Sequence, residues 1–348
     1  MKQREFYFDN AKFILIVFVV FGHLLRSFIE ENEIIYSLYK VIYTFHMPAF
    51  ILVSGFFAKG FRQNGYVLKI AKKLILPYLV FQTIYSLFYY FLYQKPELSI
   101  NPLDPHWSLW FLISLFFWNV MLYVFARFQW KYSLTITLII ALVIGFADSI
   151  SNFLSLSRTF VFFPLFLLGY YLKREHFYKL LHVKFKISAY TIFLIVFAGF
   201  YLFPDLEYEW LLGSKPYAEM GVDSVTAMFI RLGVYILSII MMASFFALVP
   251  TKRYFFTNLG RNSLYVYLLH GFFIRLFRVS DVKNYFSDVE SFLLLAGISL
   301  LLTLILSSTT ITSFAQPLIE LKVSKTKEML LKCWWVMRFY KNKLLNHH

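Results

Sequence analysis

The sequence predicts an all-α polytopic membrane protein of about ten transmembrane helices, with both termini cytoplasmic. Three observations predict it. The 348 residues are 59% apolar and 15% charged, with 43 Phe and 25 Tyr, whereas a soluble domain has about a quarter of its residues charged. Apolar stretches approaching the roughly 20 residues needed to cross a bilayer recur along the whole chain. The basic residues cluster in alternate connecting segments rather than spreading evenly.

Taken in order, the stretches cover 11–29, 38–58, 70–93, 107–126, 132–148, 160–172, 187–203, 226–249, 262–278 and 291–314. The first lacks a small-residue cleavage site and keeps a histidine, so it reads as a span rather than a signal peptide. The segments 1–12, 59–73, 127–131, 173–186, 250–261 and 315–348 hold 25 of the 34 Lys and Arg, while 14 of the 19 acids lie elsewhere. Positive charge is retained on the cytoplasmic side, which places these segments and both ends inside. The net charge of +15 is thereby explained by topology and by attraction to anionic lipid; the lipid bilayer is the expected partner and nucleic acid is not. A single cysteine, Cys333, excludes an internal disulfide framework and a cysteine-based zinc cluster. Residues 1–315 read as one transmembrane domain. Residues 316–348 read as a basic amphipathic cytoplasmic tail, anchored by Trp334 and Trp335. The loops 94–106 and 204–225 face outside and are placed to meet an external substrate.

The chemistry is expected around His23. It follows Lys12 by eleven residues, in a run otherwise free of charge. An ionisable group inside a span is costly and marks a functional site by default, and histidine titrates nearest neutrality. His46, near the start of the second span, falls at a similar depth. The two could share a proton relay, hold a metal, or simply pack as hydrogen-bonded polar residues. Metal is the weakest of these, with no matching carboxylate pattern, and no metal is expected. Pro48 is expected to bend the second helix, and the Ser54–Gly55 pair to allow close packing. Lys69, Lys72 and Lys73 open the third span; Lys69 and Lys73 share one helix face and suit phosphate as point charges or simple inner-surface anchors. Trp110 opens the fourth span. Arg158 is a positive charge on the outer side, against the trend, and requires a partner or a substrate. Asn262, Tyr267 and His270 lie in the ninth span, with His270 roughly 12 Å in from the cytoplasmic boundary. Ser54, Asn262 and Tyr267 are candidate oxyanion donors on polarity and position.

These residues resemble the acyltransferase 3 family of integral membrane acyltransferases, with the nearest likeness among fucose 4-O-acetylase-like sugar O-acetyltransferases. The resemblance spans essentially the whole chain. It is carried by Asp9-Asn10-Ala11-Lys12 with His23, by Phe45-His46-Met47-Pro48 and Ser54-Gly55-Phe56, by Lys69, Lys72 and Lys73 before Pro77, by Trp110-Phe111-Leu112, and by Ser263 to His270. Lys12 stands where the family often has arginine, and lysines at shifted spacing replace its Arg-x-x-Arg element. The resemblance implies an acyltransferase of the bacterial cytoplasmic membrane. Its donor would be acetyl-CoA or another acyl-CoA on the cytoplasmic side, and its acceptor a hydroxyl of a cell-surface glycan or lipid-linked sugar outside. His23 would be the base or acyl carrier, with Lys12 and His46 as catalytic partners and Lys69, Lys72 and Lys73 on the CoA. Arg158, Trp110, Ser54, Asn262, Tyr267 and His270 would meet substrate. Two rival classes remain: an exporter of a cell-surface glycan, which has no reason to bind acetyl-CoA, and a membrane scaffold or sensor, which leaves the buried Lys and His without a task.

Overall fold

The computed structural model describes residues 6–148, 150, 153–222, 224–286, 291–325, 327–331 and 334. Trp335 and the end of the tail lie outside them. Among the described residues there is no strand. The long helices are α1 (Phe6–Leu25), α2 (Glu33–Phe57), α3 (Tyr66–Leu92), α4 (Trp110–Phe125), α5 (Trp130–Val143) and α6 (Leu156–Tyr171). They continue with the short α7 (Arg174–Lys179), then α8 (Val183–Leu202), the single turn α9 (Glu209–Leu212), α10 (Val225–Leu248), α11 (Ser263–Val279), α12 (Ser291–Ser307) and α13 (Thr309–Ile319).

Each of the ten expected stretches falls on a helix, but length supports fewer crossings. Six helices are long and apolar enough to span, namely α1, α2, α3, α6 with its leading turn, α8 and α10. The α12–α13 pair, bent by 65°, makes a seventh if counted as one span. The 16 residues of α4 rise about 24 Å and the 14 of α5 about 21 Å, both short of a hydrocarbon core of roughly 30 Å. The chain is therefore a multi-pass membrane protein, all-helical among the described residues, where length defines six or seven crossings.

α2 is the hub, packing against α1, α6, α8 and α10. Its start is fixed by Asn32, whose side chain accepts from the amides of Ile34 and Ile35 at 2.9 and 3.1 Å, satisfying two of the orphan donors of a helix N-terminus. It runs unbroken from Glu33 to Phe57 through Pro48. Lys40, fully buried in α2, donates to the carbonyls of Pro204 and Leu206 at 3.1 and 3.4 Å, so it ties down the loop after α8. α8 itself is peripheral, with only Ala189 and Phe200 buried, as expected of a helix facing lipid.

The α2–α6 contact is backbone on backbone. A side chain at Gly55 would run into the Phe166 carbonyl, and one at Gly169 into the Leu52 carbonyl. Small residues at such a crossing replace the missing hydrophobic drive between helices in lipid. Gly55→Ala is therefore expected to destabilise, by about 1–3 kcal/mol or more since the obstacle is main chain. Gly233→Ala, where the added carbon meets open space, should be neutral or slightly stabilising through helix propensity. Thermal midpoints in detergent would read both, and equal midpoints for the two variants would refute the packing account.

The other end of α1 is tied by its polar residues. Asn10 donates to the carbonyls of Pro250 and Lys252 at 2.8 and 2.9 Å and accepts from the Thr257 hydroxyl at 2.6 Å. The Tyr7 hydroxyl donates to the Phe246 carbonyl at 2.7 Å. Gly260 lets the turn before α11 rest on the α1 backbone at Asp9. The result is a fixed crossing of α1 and α11, which sets the site.

Candidate active site

Two cavities occupy opposite ends of the bundle. The inner one, about 370 Å³, is bounded by the first half of α1, the end of α2, the start of α3 and the start of α11, with Lys12, Ser54, Lys73 and Tyr267 among its walls. The outer one, about 230 Å³, is bounded by the end of α1, the first half of α2, the end of α11 and the loop segments before α4 and around α9. Its walls include His23, His46, Trp110 and Arg158. Val19, Met47 and Tyr267 line both. The charged lining of the inner cavity falls on segments that the basic-residue pattern puts inside, and the outer cavity opens at the opposite ends of the same helices.

His23 sits in the last turn of α1, because that helix ends at Leu25 rather than near residue 29. Its main-chain carbonyl, one of those a helix C-terminus leaves without an internal partner, accepts from Arg278 Nη2 at 2.9 Å. Its Nδ1 lies 3.2 Å from the Tyr43 hydroxyl. Gly22 makes that approach possible: a Cβ there would stand 2.9 Å from the Tyr43 ring. The ring of Trp107 meets His23 edge-on at 4.2 Å, and the ring of His270 stacks on it at 5.4 Å and 19°.

His270 thus joins His23, although the depth counted from the cytoplasmic side had separated them. It is fully buried, its Nδ1–H donates to the Val266 carbonyl at 3.0 Å, and its Nε2 has no hydrogen-bond partner. His46 is held in the same way, its Nδ1–H donating to the Ile42 carbonyl at 2.8 Å, with its ring 4.5 Å from Tyr43. Tyr43 therefore bridges the two histidines of the first two helices. Among the described residues no three His, Cys, Asp or Glu side chains are grouped as metal ligands.

Other expected residues are distributed differently. Lys12 lies about 16 Å down the helix from His23, in the inner cavity, paired with Asp9 at 2.8 Å. Distance removes it from any proton transfer at His23. All three α3 lysines are exposed, and of them only Lys73 lines the inner cavity. The candidate oxyanion donors are already hydrogen-bonded to main-chain carbonyls, through the hydroxyl proton of Ser54 and Tyr267 and through one of the two amide protons of Asn262. Ser54 donates to the Phe50 carbonyl at 2.8 Å, Tyr267 to the Ser108 carbonyl, and Asn262 to the Ser307 carbonyl at 2.7 Å. Asn262 lines neither cavity. Arg158 finds its partners in the Trp110 face, 5.0 Å away, and the Leu212 carbonyl at 3.3 Å, while bordering the outer cavity.

The outer loops contribute as expected for 204–225, through Tyr208, Leu211 and Leu212. The 94–106 loop serves instead as support. Gln82 donates to the carbonyls of Asn101 and Asp104 at 2.7 and 2.9 Å, and His106 Nε2 meets the Ser86 hydroxyl at 2.9 Å. Burial, and then the nearby Lys95, push the His106 pKa down to about 4, so it is a neutral imidazole that steadies the next residue, Trp107. Sequence reasoning missed Arg26, Tyr43, Trp107, Arg275 and Arg278, all on the outer cavity. The signal that singled out Arg158, a cation on the outer side, applies equally to the three arginines.

The site is thus a helical bundle with a histidine-lined cavity adjoining a lysine-bearing one. A family model described as an acyltransferase domain matches residues 5–312, and the chain belongs to this acyltransferase 3 family. Nodulation protein NolL of Mesorhizobium japonicum is 26% identical over 81% of this chain and 79% of the relative. Nodulation protein NolL of Sinorhizobium fredii is 46% identical over 61 residues, 17% of each chain. No solved structure matches.

Proposed function

We propose that this protein is an O-acyltransferase of the bacterial cytoplasmic membrane, moving an acyl group, acetyl by preference, from cytoplasmic acyl-CoA to a hydroxyl of an extracytoplasmic or lipid-linked saccharide. The observation that carries this reading is the pair of cavities sharing Val19, Met47 and Tyr267, lysines in one and His23 in the other. The donor's phosphates lie toward Lys12 and Lys73, with Lys69 extending the positive edge one turn away on α3. The thioester passes the constriction and reaches His23. With Nδ1–H directed to the Tyr43 oxygen, the Nε2 lone pair takes the acceptor's proton as its oxygen attacks the thioester carbon. The new C–O ester bond forms, the C–S bond breaks, and the proton passes to the departing thiolate, giving CoA as the thiol. Arg158, one of four arginines on the same cavity, is the one assigned to the developing oxyanion.

The test is purified full-length protein in lipid nanodiscs, given radiolabelled acetyl-CoA. Saturable binding of acetyl-CoA, and acetyl ester appearing on glycans of the producing cell's envelope only when the protein is present, are expected. A protein that binds no acyl-CoA would refute the reading and favour glycan export.

A further inference from the structure

Nine Lys and Arg residues lie outside the cytoplasmic segments, against the bias that sets membrane orientation. Two of them are structural. Lys40 holds the outer loop, and Arg231 donates to the Ala141 carbonyl at 3.3 Å beneath the Tyr217 ring. Four others, Arg26, Arg158, Arg275 and Arg278, converge on the outer cavity, whose lining holds no Asp or Glu.

Arg278 lies within reach of the charges of both Arg275 and Arg26. Arg275 and Arg278, three residues apart on one helix face, set their guanidinium groups 5.1 and 5.6 Å from the Trp107 ring. Arg26 donates to the Tyr208 hydroxyl at 2.7 Å, and its carboxylate neighbour is Glu30 at 3.5 Å, a side chain 85% exposed. Arg275 touches Tyr93 at 3.5 Å. Among the described residues neither Arg275 nor Arg278 has a carboxylate within 4.0 Å, and the Nε of each is buried without a partner. Uncompensated cations held together in a partly enclosed cavity repel one another and are poorly solvated. Their planar forks, held beside the Trp107 and Tyr208 rings, fit a phosphoryl or carboxylate group.

We propose that the outer cavity recognises an anionic acceptor, a saccharide carrying a phosphoryl or carboxylate group about one sugar ring from the hydroxyl that is acylated. Arg278 sets that spacing, since it holds the backbone of His23 with one arm of the group that would face the anion. This inference rests on the acyltransferase reading of the outer cavity.

The experiment is calorimetric titration of the full chain in nanodiscs with glucose, glucose 1-phosphate, glucuronate and acetyl-CoA. At low ionic strength at least one charged sugar is expected to bind about tenfold or more tighter than glucose, an advantage that shrinks with salt. The tighter of the two names the acidic group. The double variant Arg26→Gln with Arg275→Gln should lose that preference while its acetyl-CoA affinity stays within about threefold. Arg275→Lys, which keeps charge without the fork, should retain part of it and guards against a folding artefact. Equal binding of all three sugars would overturn the proposal. So would a loss of acetyl-CoA affinity in the double variant, which would assign the cluster to the donor's phosphates. Charged sugars that bind without any acyl transfer would instead remove the enzymatic reading and leave the anion site standing.

Discussion

His23→Ala protein is expected to reach the membrane at native level, bind acetyl-CoA within about threefold of native, and transfer acyl groups roughly 10²- to 10⁴-fold more slowly, the usual contribution of a positioned general base. The geometry sets each clause. Lys12 and Lys73, which would hold the donor, are in the other cavity, so donor affinity should not follow the imidazole. The variant keeps the backbone tie at His23, because Arg278 bonds the carbonyl rather than the ring. Tyr43→Phe removes only the oxygen beside Nδ1. It should cost less than His23→Ala and act on kcat with KM for acyl-CoA unchanged, as expected of a group that orients the base. Acetyl ester formed on envelope glycans, quantified against protein level, reads all of this. Full activity in His23→Ala would place the chemistry elsewhere.

How far the sequence reached depended on whether the deciding contact was local. His23 stood out because cost alone marks an imidazole in a charge-free helix; α2 was found from apolar length, but its expected start at 38 fell five residues late because the Asn32 cap at its head went unread. Gly55 also read correctly as packing, since a glycine in an apolar helix has few other uses. The start of α1 did not: Tyr7, Asp9 and Asn10 look like a polar lead-in. They are buried because Asn10 bonds residues some 240 positions away. His270 was assigned a depth along its own helix, but where α11 crosses α1 is decided by Gly260 against Asp9, a contact no local pattern announces. Arg275 and Arg278 were absorbed into the end of a span because hydropathy averages over them. Counted instead as exceptions to the charge bias, they belong with Arg158.

The constriction between the cavities carries the second large effect. Val19→Trp should fill the space beside Met47 and Tyr267, where both cavities have a wall. Val19 is 3% exposed and stands one turn before His23 on the same helix face, so the change adds volume at the passage while leaving every charged side chain in the sequence. A displacement of about 1 Å from reacting geometry costs on the order of 10²-fold, and a plugged passage should cost at least that in kcat. Donor affinity and the binding of acceptor probes at the outer cavity should each stay within about tenfold of native, because each ligand keeps its own chamber. The small-side variant Val19→Ala leaves the passage open and should retain transfer even if stability falls by the 2–3 kcal/mol typical of a buried truncation. An exporter would respond in another way: Val19→Trp would block passage of the glycan, and acetyl ester would be missing from native and variant alike. Comparing ester formation with glycan appearance at the cell surface in one pair of strains therefore separates a barrier to an acyl group from a barrier to a sugar. Transfer undiminished by tryptophan at position 19 would mean that the two chambers exchange the acyl group by a route that does not pass Met47 and Tyr267.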